Sequence, residues 1–222
     1  MNEGLIVILF IGAMIALAII GYIADQRRTD AVKQLADTMG FSYLEDSSSY
    51  LPDTIWQFDL FNKGRRRKVR NLIQGNLDAG NVAIGDYQYT TGSGKHKHTY
   101  RQTVVFIESD QLHLPSFLLS PENIFHKIGD LFGYYDIDFD AYPEFSTRYL
   151  LRGSNERAIR QQFHDGVLSF YQRRPGMSSE GIGRILIYYK QNQCLPPKDW
   201  KSLLHEALEA CDQFSCQHTP RI

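Results

Sequence analysis

The sequence predicts an α+β protein: an N-terminal transmembrane helix, then a mostly antiparallel sheet packed with helices. Three observations lead there. Gly4–Ile23 is an uncharged apolar run of twenty residues. Between residues 69 and 109, β-branched and aromatic runs are separated by turn residues. The helical stripes elsewhere fall between strands without the regular alternation of a parallel α/β fold.

The first run reads GLIVILFIGAMIALAIIGYI, and its only polar side chain is the hydroxyl of Tyr22. As a helix it spans about 30 Å, the thickness of a bilayer hydrocarbon core, and closes its own backbone hydrogen bonds as lipid requires. A cleaved signal peptide would carry a basic leader and a small-x-small site; here Asn2 and Glu3 precede the run, and Gly21-Tyr22-Ile23 at its end makes a poor cleavage site. The segment therefore reads as an uncleaved anchor, in preference to a signal peptide or a buried core helix. Arg27, Arg28 and Lys33 lie on its C-terminal flank and no Lys or Arg on the other, so the positive-inside rule places the N-terminus outside and the rest in the cytoplasm, at the inner membrane. Gly12 and Ala16 share a helical face that would allow helix pairing. An odd count of cysteines, Cys194, Cys211 and Cys216, suits a reducing compartment.

Ala31, Val32, Leu35, Ala36 and Met39 repeat at helical spacing, so a helix is expected to follow the anchor after a short break and to end at Gly40. Phe41 and Tyr43 open the extended part, and residues 45–54 are polar and serine-rich, a connector. Val69–Leu77 leads through Asp78-Ala79-Gly80-Asn81 into Val82–Thr91, and after a polar tip Arg101–Ser109 returns: hairpin patterning. Ser120-Pro121-Glu122 has the composition of a helix start, with Ile124, Phe125, Ile128, Leu131 and Phe132 as its stripe. Tyr149-Leu150-Leu151 reads as a short strand, Ser154 as the cap of a helix through Phe163, and Asp165 as the start of another. Ile182–Tyr189 reads as one further strand, stopped by Pro196 and Pro197. Asp199 opens a last helix with Leu203, Leu204, Ala207, Leu208, Cys211 and Phe214 on its apolar face. This divides the chain into an anchor (1–25), one α+β domain (26–216) and a short polar tail (217–222).

The chain resembles an uncharacterised family of bacterial single-pass membrane proteins with a cytoplasmic α+β domain. The residues that carry the resemblance are Phe58-Asp59-Leu60-Phe61 with Gly64, Asp86-Tyr87-Gln88-Tyr89-Thr90-Thr91-Gly92-Ser93-Gly94-Lys95 and Gln102-Thr103-Val104-Val105. Leu114-Pro115-Ser116-Phe117, Asp136-Ile137-Asp138-Phe139 with Pro143-Glu144-Phe145, and Tyr149-Leu150-Leu151-Arg152-Gly153 continue it. The resemblance implies a location and a fold and supplies no catalytic residue.

A formal charge of -1 over 222 residues argues against a globally basic nucleic-acid binder, and none is expected as a partner. The average conceals Lys63, Arg65, Arg66, Arg67, Lys68 and Arg70, six basic residues in eight, a patch suited to anionic lipid headgroups or a protein partner. Gly92-Ser93-Gly94-Lys95 is not a Walker A loop, because Lys95 precedes His96 and Tyr89 stands where the first glycine belongs. His96 and His98 alternate and could share a metal on one strand face, and Asp136, Asp138 and Asp140 with Glu144 form the densest acid cluster. Ala141 and Thr147 break the calcium-loop pattern, and the acids read better as solvated residues alternating with core Ile137 and Phe139 on a strand. Cys194, Cys211, Cys216 and His218 are zinc-type ligands at unsuitable spacing, and His164 beside Asp165 has no nucleophile to complete a triad.

The expected function is a membrane-tethered, non-enzymatic protein-binding or scaffolding module without cofactor, touching the bilayer through residues 4–23. The alternative is a membrane-anchored, metal-dependent hydrolase using His96, His98 and the acid cluster.

Overall fold

A computed structural model describes residues 3–45, 53–122 and 136–215. Helix α1 (Glu3–Met39) runs 37 residues without the expected break. Every described side chain from Ile6 to Arg27 is exposed, whereas Val32 and Ala36 are buried. The change from an all-round apolar run to a stripe thus occurs within one helix, because nothing between Ile23 and Thr29 is a helix breaker. Its first part is long and apolar enough to cross a membrane. The helix ends where Gly40 takes φ 67° and the Phe41 N–H reaches back to the Ala36 carbonyl at 2.9 Å.

Eight strands follow: β1 (Ser42–Leu44), β2 (Arg65–Leu77), β3 (Gly80–Thr91), β4 (His98–Glu108), β5 (Leu114–Pro121), β6 (Tyr149–Arg152), β7 (Met177–Gly183) and β8 (Ile185–Lys190). They form one sheet in the order β1-β2-β3-β4-β8-β7-β5-β6, every neighbouring pair antiparallel. Asp78 and Ala79 close β2 onto β3 as the turn composition predicts. The run Ile182–Tyr189 is not one strand. Gly183, at φ 58°, turns the chain with Arg184 so that Ile182 faces Ile185 across a hairpin. Residues 136–140 alternate in exposure but lie beside β6 outside the ladder, joined to it by the Ile137 N–H on the Leu151 carbonyl at 2.8 Å.

The short helices are α2 (Asp59–Asn62), α3 (Pro143–Arg148), α4 (Glu156–Gln162) and α5 (Asp165–Gln172), and α6 (Trp200–Ser215) is the last. Asn155, and not Ser154, caps α4, its side chain accepting from the Ala158 N–H at 3.1 Å. The helix expected after Ser120 falls from Asn123 onward outside the described residues, as do most of the 45–54 connector and the tail.

Alternation along the central strands sends side chains to two cores. Ile73, Ile84, Val105, Leu186 and Tyr188 face the residue-28–39 part of α1 together with α3 to α6. Leu72, Ala83, Tyr87, Val104, Phe106, Ile187 and Tyr189 face the opposite way, beneath Ile55, Phe58, Leu60 and Phe61. The second face is therefore roofed by a segment of about ten residues around α2 and the short 3-10 helix Asp53–Gln57 before it.

Candidate membrane-facing site

Helix α1 meets the sheet through one acid. Asp86 stands on β3 among residues facing α1, and Arg28 clamps its two carboxylate oxygens at 2.6 and 2.7 Å. Asn71 Nδ2 and the Thr103 hydroxyl also donate to Asp86, both at 3.1 Å. Asn71 can do so because it adopts φ 51° where β2 shifts register, and its own oxygen accepts from Thr29 on α1. Burial pulls the Arg28 pKa down, yet the hydrogen bond and charge of Asp86 leave it raised. The Cys194 thiol completes the ring, donating to Asp86 at 3.3 Å; burial and the neighbouring carboxylate push its pKa to about 11. At neutral pH it is a protonated donor, the opposite of an activated nucleophile. Around this knot lies a cleft of about 60 Å³ lined by Asp25, Arg28, Arg70, Gln88 and Arg101 among others, room for a water or two.

The contacts also give α1 a direction. Asp25 pairs with Arg70 at 3.3 Å, Thr29 reaches Asn71, and after α1 ends Ser42 pairs with Gln74. Following α1 toward its apolar half therefore means following β2 from Gln74 back toward Arg65, so the basic start of β2 lies at the end of the sheet where the anchor departs. The six basic residues do not form one face. Lys63 is half-buried beside Glu180 and Asp59, and burial lowers its pKa. Arg65 donates to the Gly92 carbonyl, and Arg67 donates to the Phe61 carbonyl with its guanidinium 5.8 Å over exposed Trp56. Arg66 and Lys68 are exposed, and Arg70 is paired with Asp25.

His96 sits in the tip between β3 and β4, and His98 opens β4 with its ring edge-on to Tyr100 at 4.4 Å. Asp136 accepts from the Leu151 N–H at 2.9 Å, burial raising its pKa, and Glu144 pairs with Arg148 on α3. Three strands, β8, β7 and β5, separate β4 from β6, so the tip histidines and the acid cluster are not brought into one site. Among the described residues no three His, Cys, Asp or Glu side chains converge as a metal site. Cys211 is buried on α6, apart from the Cys194 ring, while Cys216 and His218 lie outside the described residues.

A second charged cluster carries no sequence signature that the apolar patterning could find. Glu180 on β7 is 2% exposed and accepts from the Leu60 N–H at 3.0 Å and the Tyr189 hydroxyl at 2.8 Å. Arg152, buried on β6, pairs with Asp59 at 3.3 Å. Burial raises the Glu180 pKa to about 7, with the Lys63 ammonium opposing and Asp59 adding to the shift. These groups bind the α2 roof to the sheet.

No family model and no curated protein matches the chain. The crystal structure of the mycobacterial trehalose monomycolate transport factor A, TtfA, is similar over 84% of this chain and 93% of its own, with a TM-score of 0.57 and 11% identity. At that identity the likeness is one of fold. What stands of the sequence resemblance is its coarser part, a membrane-associated chain in which one long apolar N-terminal helix leads into an α+β domain.

Proposed function

We propose that this protein is a non-enzymatic, membrane-tethered module at the inner face of the cell membrane, whose basic sheet end meets anionic lipid headgroups while the rest of the domain receives a protein partner. The observation that carries the reading is the departure of α1 beside the Arg65–Arg70 end of β2, fixed by the Asp25–Arg70 and Arg28–Asp86 pairs. The positive field there is held where a negative leaflet would be. The fold shared with a transport factor for trehalose monomycolate agrees with a role next to lipid. The binding reading is favoured over the hydrolytic one by the protonated Cys194 thiol and by the three strands between the tip histidines and the acid cluster.

The test uses the chain from Ala24 onward, since every described side chain before it is exposed. Its binding to vesicles containing phosphatidylglycerol should weaken about a hundredfold when Arg65, Arg66 and Arg67 are changed to Glu, at about 1 kcal/mol per lost basic contact. Phosphatidylcholine vesicles should bind both chains equally poorly. Unchanged affinity for the anionic vesicles removes the reading.

A further inference from the structure

We infer that the tip between β3 and β4, Gly92–His98, lies in the lipid headgroup layer beside α1, held there by Lys95 and Lys97 on lipid phosphates. The inference rests on the proposed membrane-facing orientation and extends it to a second, separate element.

The first support is length. Arg28 and Asp86 are joined by a bidentate pair, so they mark one level in both elements. From Arg28 back to Ile23, where the apolar run ends, α1 rises five residues, about 7.5 Å. From Asp86 to Thr91, β3 also advances five residues, but at strand rise this is about 16 Å. Both run in the same direction, as the pairing of Asp25 with Arg70 and of Ser42 with Gln74 requires. Were the strand to cross the helix at about 45°, its projection would still be about 11 Å, and the tip residues extend beyond its end. The hairpin therefore passes the level of Ile23 and enters the depth of the headgroups.

The second support is composition. Every residue from Gly92 to Thr99 is exposed. No acid occurs between Asp86 and Glu108 or between Asp59 and Asp78, so β2, the part of β3 beyond Asp86 and the part of β4 before Glu108 are acid-free, while Lys95, Lys97 and Arg101 are basic. The opposite end of the same strands carries Asp78, Glu108 and Asp110, the last paired with Arg184 of the β7–β8 turn. Strands β2 to β4 thus carry excess positive charge at the end beside α1 and excess negative charge at the other, which fits a negative surface on one side only. The stacked rings of Tyr89 and Tyr100, 5.0 Å apart with His98 against Tyr100, stiffen the base of the tip and hold it extended.

The experiment takes the full chain reconstituted into vesicles of phosphatidylcholine and phosphatidylglycerol, with some lipids brominated on the acyl carbons just below the headgroups. A tryptophan is added by Ser93→Trp at the tip or by Gln111→Trp at the far end, both exposed positions, and the signal of the parent chain is subtracted. Quenching of the added tryptophan should be several-fold greater at position 93 than at 111. In the Ser93→Trp chain, Lys95→Glu with Lys97→Glu should lower quenching to the level seen at 111. Equal quenching at the two positions, or quenching at 93 indifferent to the lysine reversals, overturns the inference. Loss of vesicle affinity on reversal of Arg65–Arg67, with no quenching at 93, would defeat the tip alone and leave the broader reading standing.

Discussion

Glu180 is a carboxyl in the middle of a sheet; among the described residues the Leu60 N–H of the roof and the Tyr189 hydroxyl of β8 donate to it. Two contacts do not replace the hydration an ionised carboxylate loses, so the folded protein holds the proton to about pH 7 where an unfolded chain releases it near 4.5. Between those values the folded state binds more protons than the unfolded one. The Glu180 contribution to stability therefore falls as pH rises from about 4.5 to about 7 and is level above, by a total on the order of 3 kcal/mol. Glu180→Gln cannot titrate and should abolish that decline, making the variant the more stable protein at about pH 8. Urea midpoints of both chains across the range would show it; parallel curves would sink the idea. None of this was legible in the sequence, because Met177-Ser178-Ser179-Glu180 presents polar residues at positions that are all buried. Burial of a polar side chain is decided by its partners, here Leu60, Lys63 and Tyr189, which only the fold assembles. Asp86 left a fainter mark: one acid inside the run from Val82 to Thr91, on the face that Val82 and Ile84 show to be inward.

Elements with a clean period were legible and elements without one were not. The β2–β3 hairpin, α6 and the short strand at 149 follow from alternation, helical spacing and turn residues. Strand β5, with Pro115 and Ser116 near its start, and β7, with its buried polar residues, lack such a period and emerge only from pairing with neighbours. The expected break after the anchor is instructive in the other direction: a change of solvent, from lipid to protein, need not interrupt a helix whose backbone is already satisfied. Helix α1 consequently belongs to two environments, and the domain depends on its second half. A chain starting at Ala24 keeps Arg28, Val32 and Ala36 and should unfold cooperatively. A chain starting at Phe41 loses a buried valine, worth about 2 kcal/mol, and strands Asp86 without its arginine, about 3 kcal/mol more. Against a typical total of about 5–15 kcal/mol that is a large share, and the shorter chain should lose its sharp transition in urea-dependent circular dichroism. Equal midpoints for the two chains would show α1 to be a tether only.

At the scale of the whole molecule, two charge arguments support the proposed orientation in the membrane. Arg27 and Arg28 flank the apolar run on its C-terminal side, and under the proposed orientation the positive-inside rule would retain that flank in the cytoplasm during insertion. That Arg28 later pairs with Asp86 does not weaken this, because orientation is set before the sheet exists and acids count little in it. The folded domain then presents a predominantly basic end beside the apolar helix, its nearest acid, Asp25, paired with Arg70, and the cytoplasmic leaflet is the one whose anionic lipids attract such an end. Placed on the opposite side, the same surface would meet no comparable attraction, and Cys194 and Cys211, both free thiols, would face an oxidising compartment. A reporter that works only in the cytoplasm, fused after Ile222, should therefore be active, and one that requires export should be silent. Active exported reporter would reverse the orientation and, with it, the membrane against which the β3–β4 tip is proposed to rest; the geometry that brings the tip level with the headgroups would remain, but its lysines would need a different anionic surface.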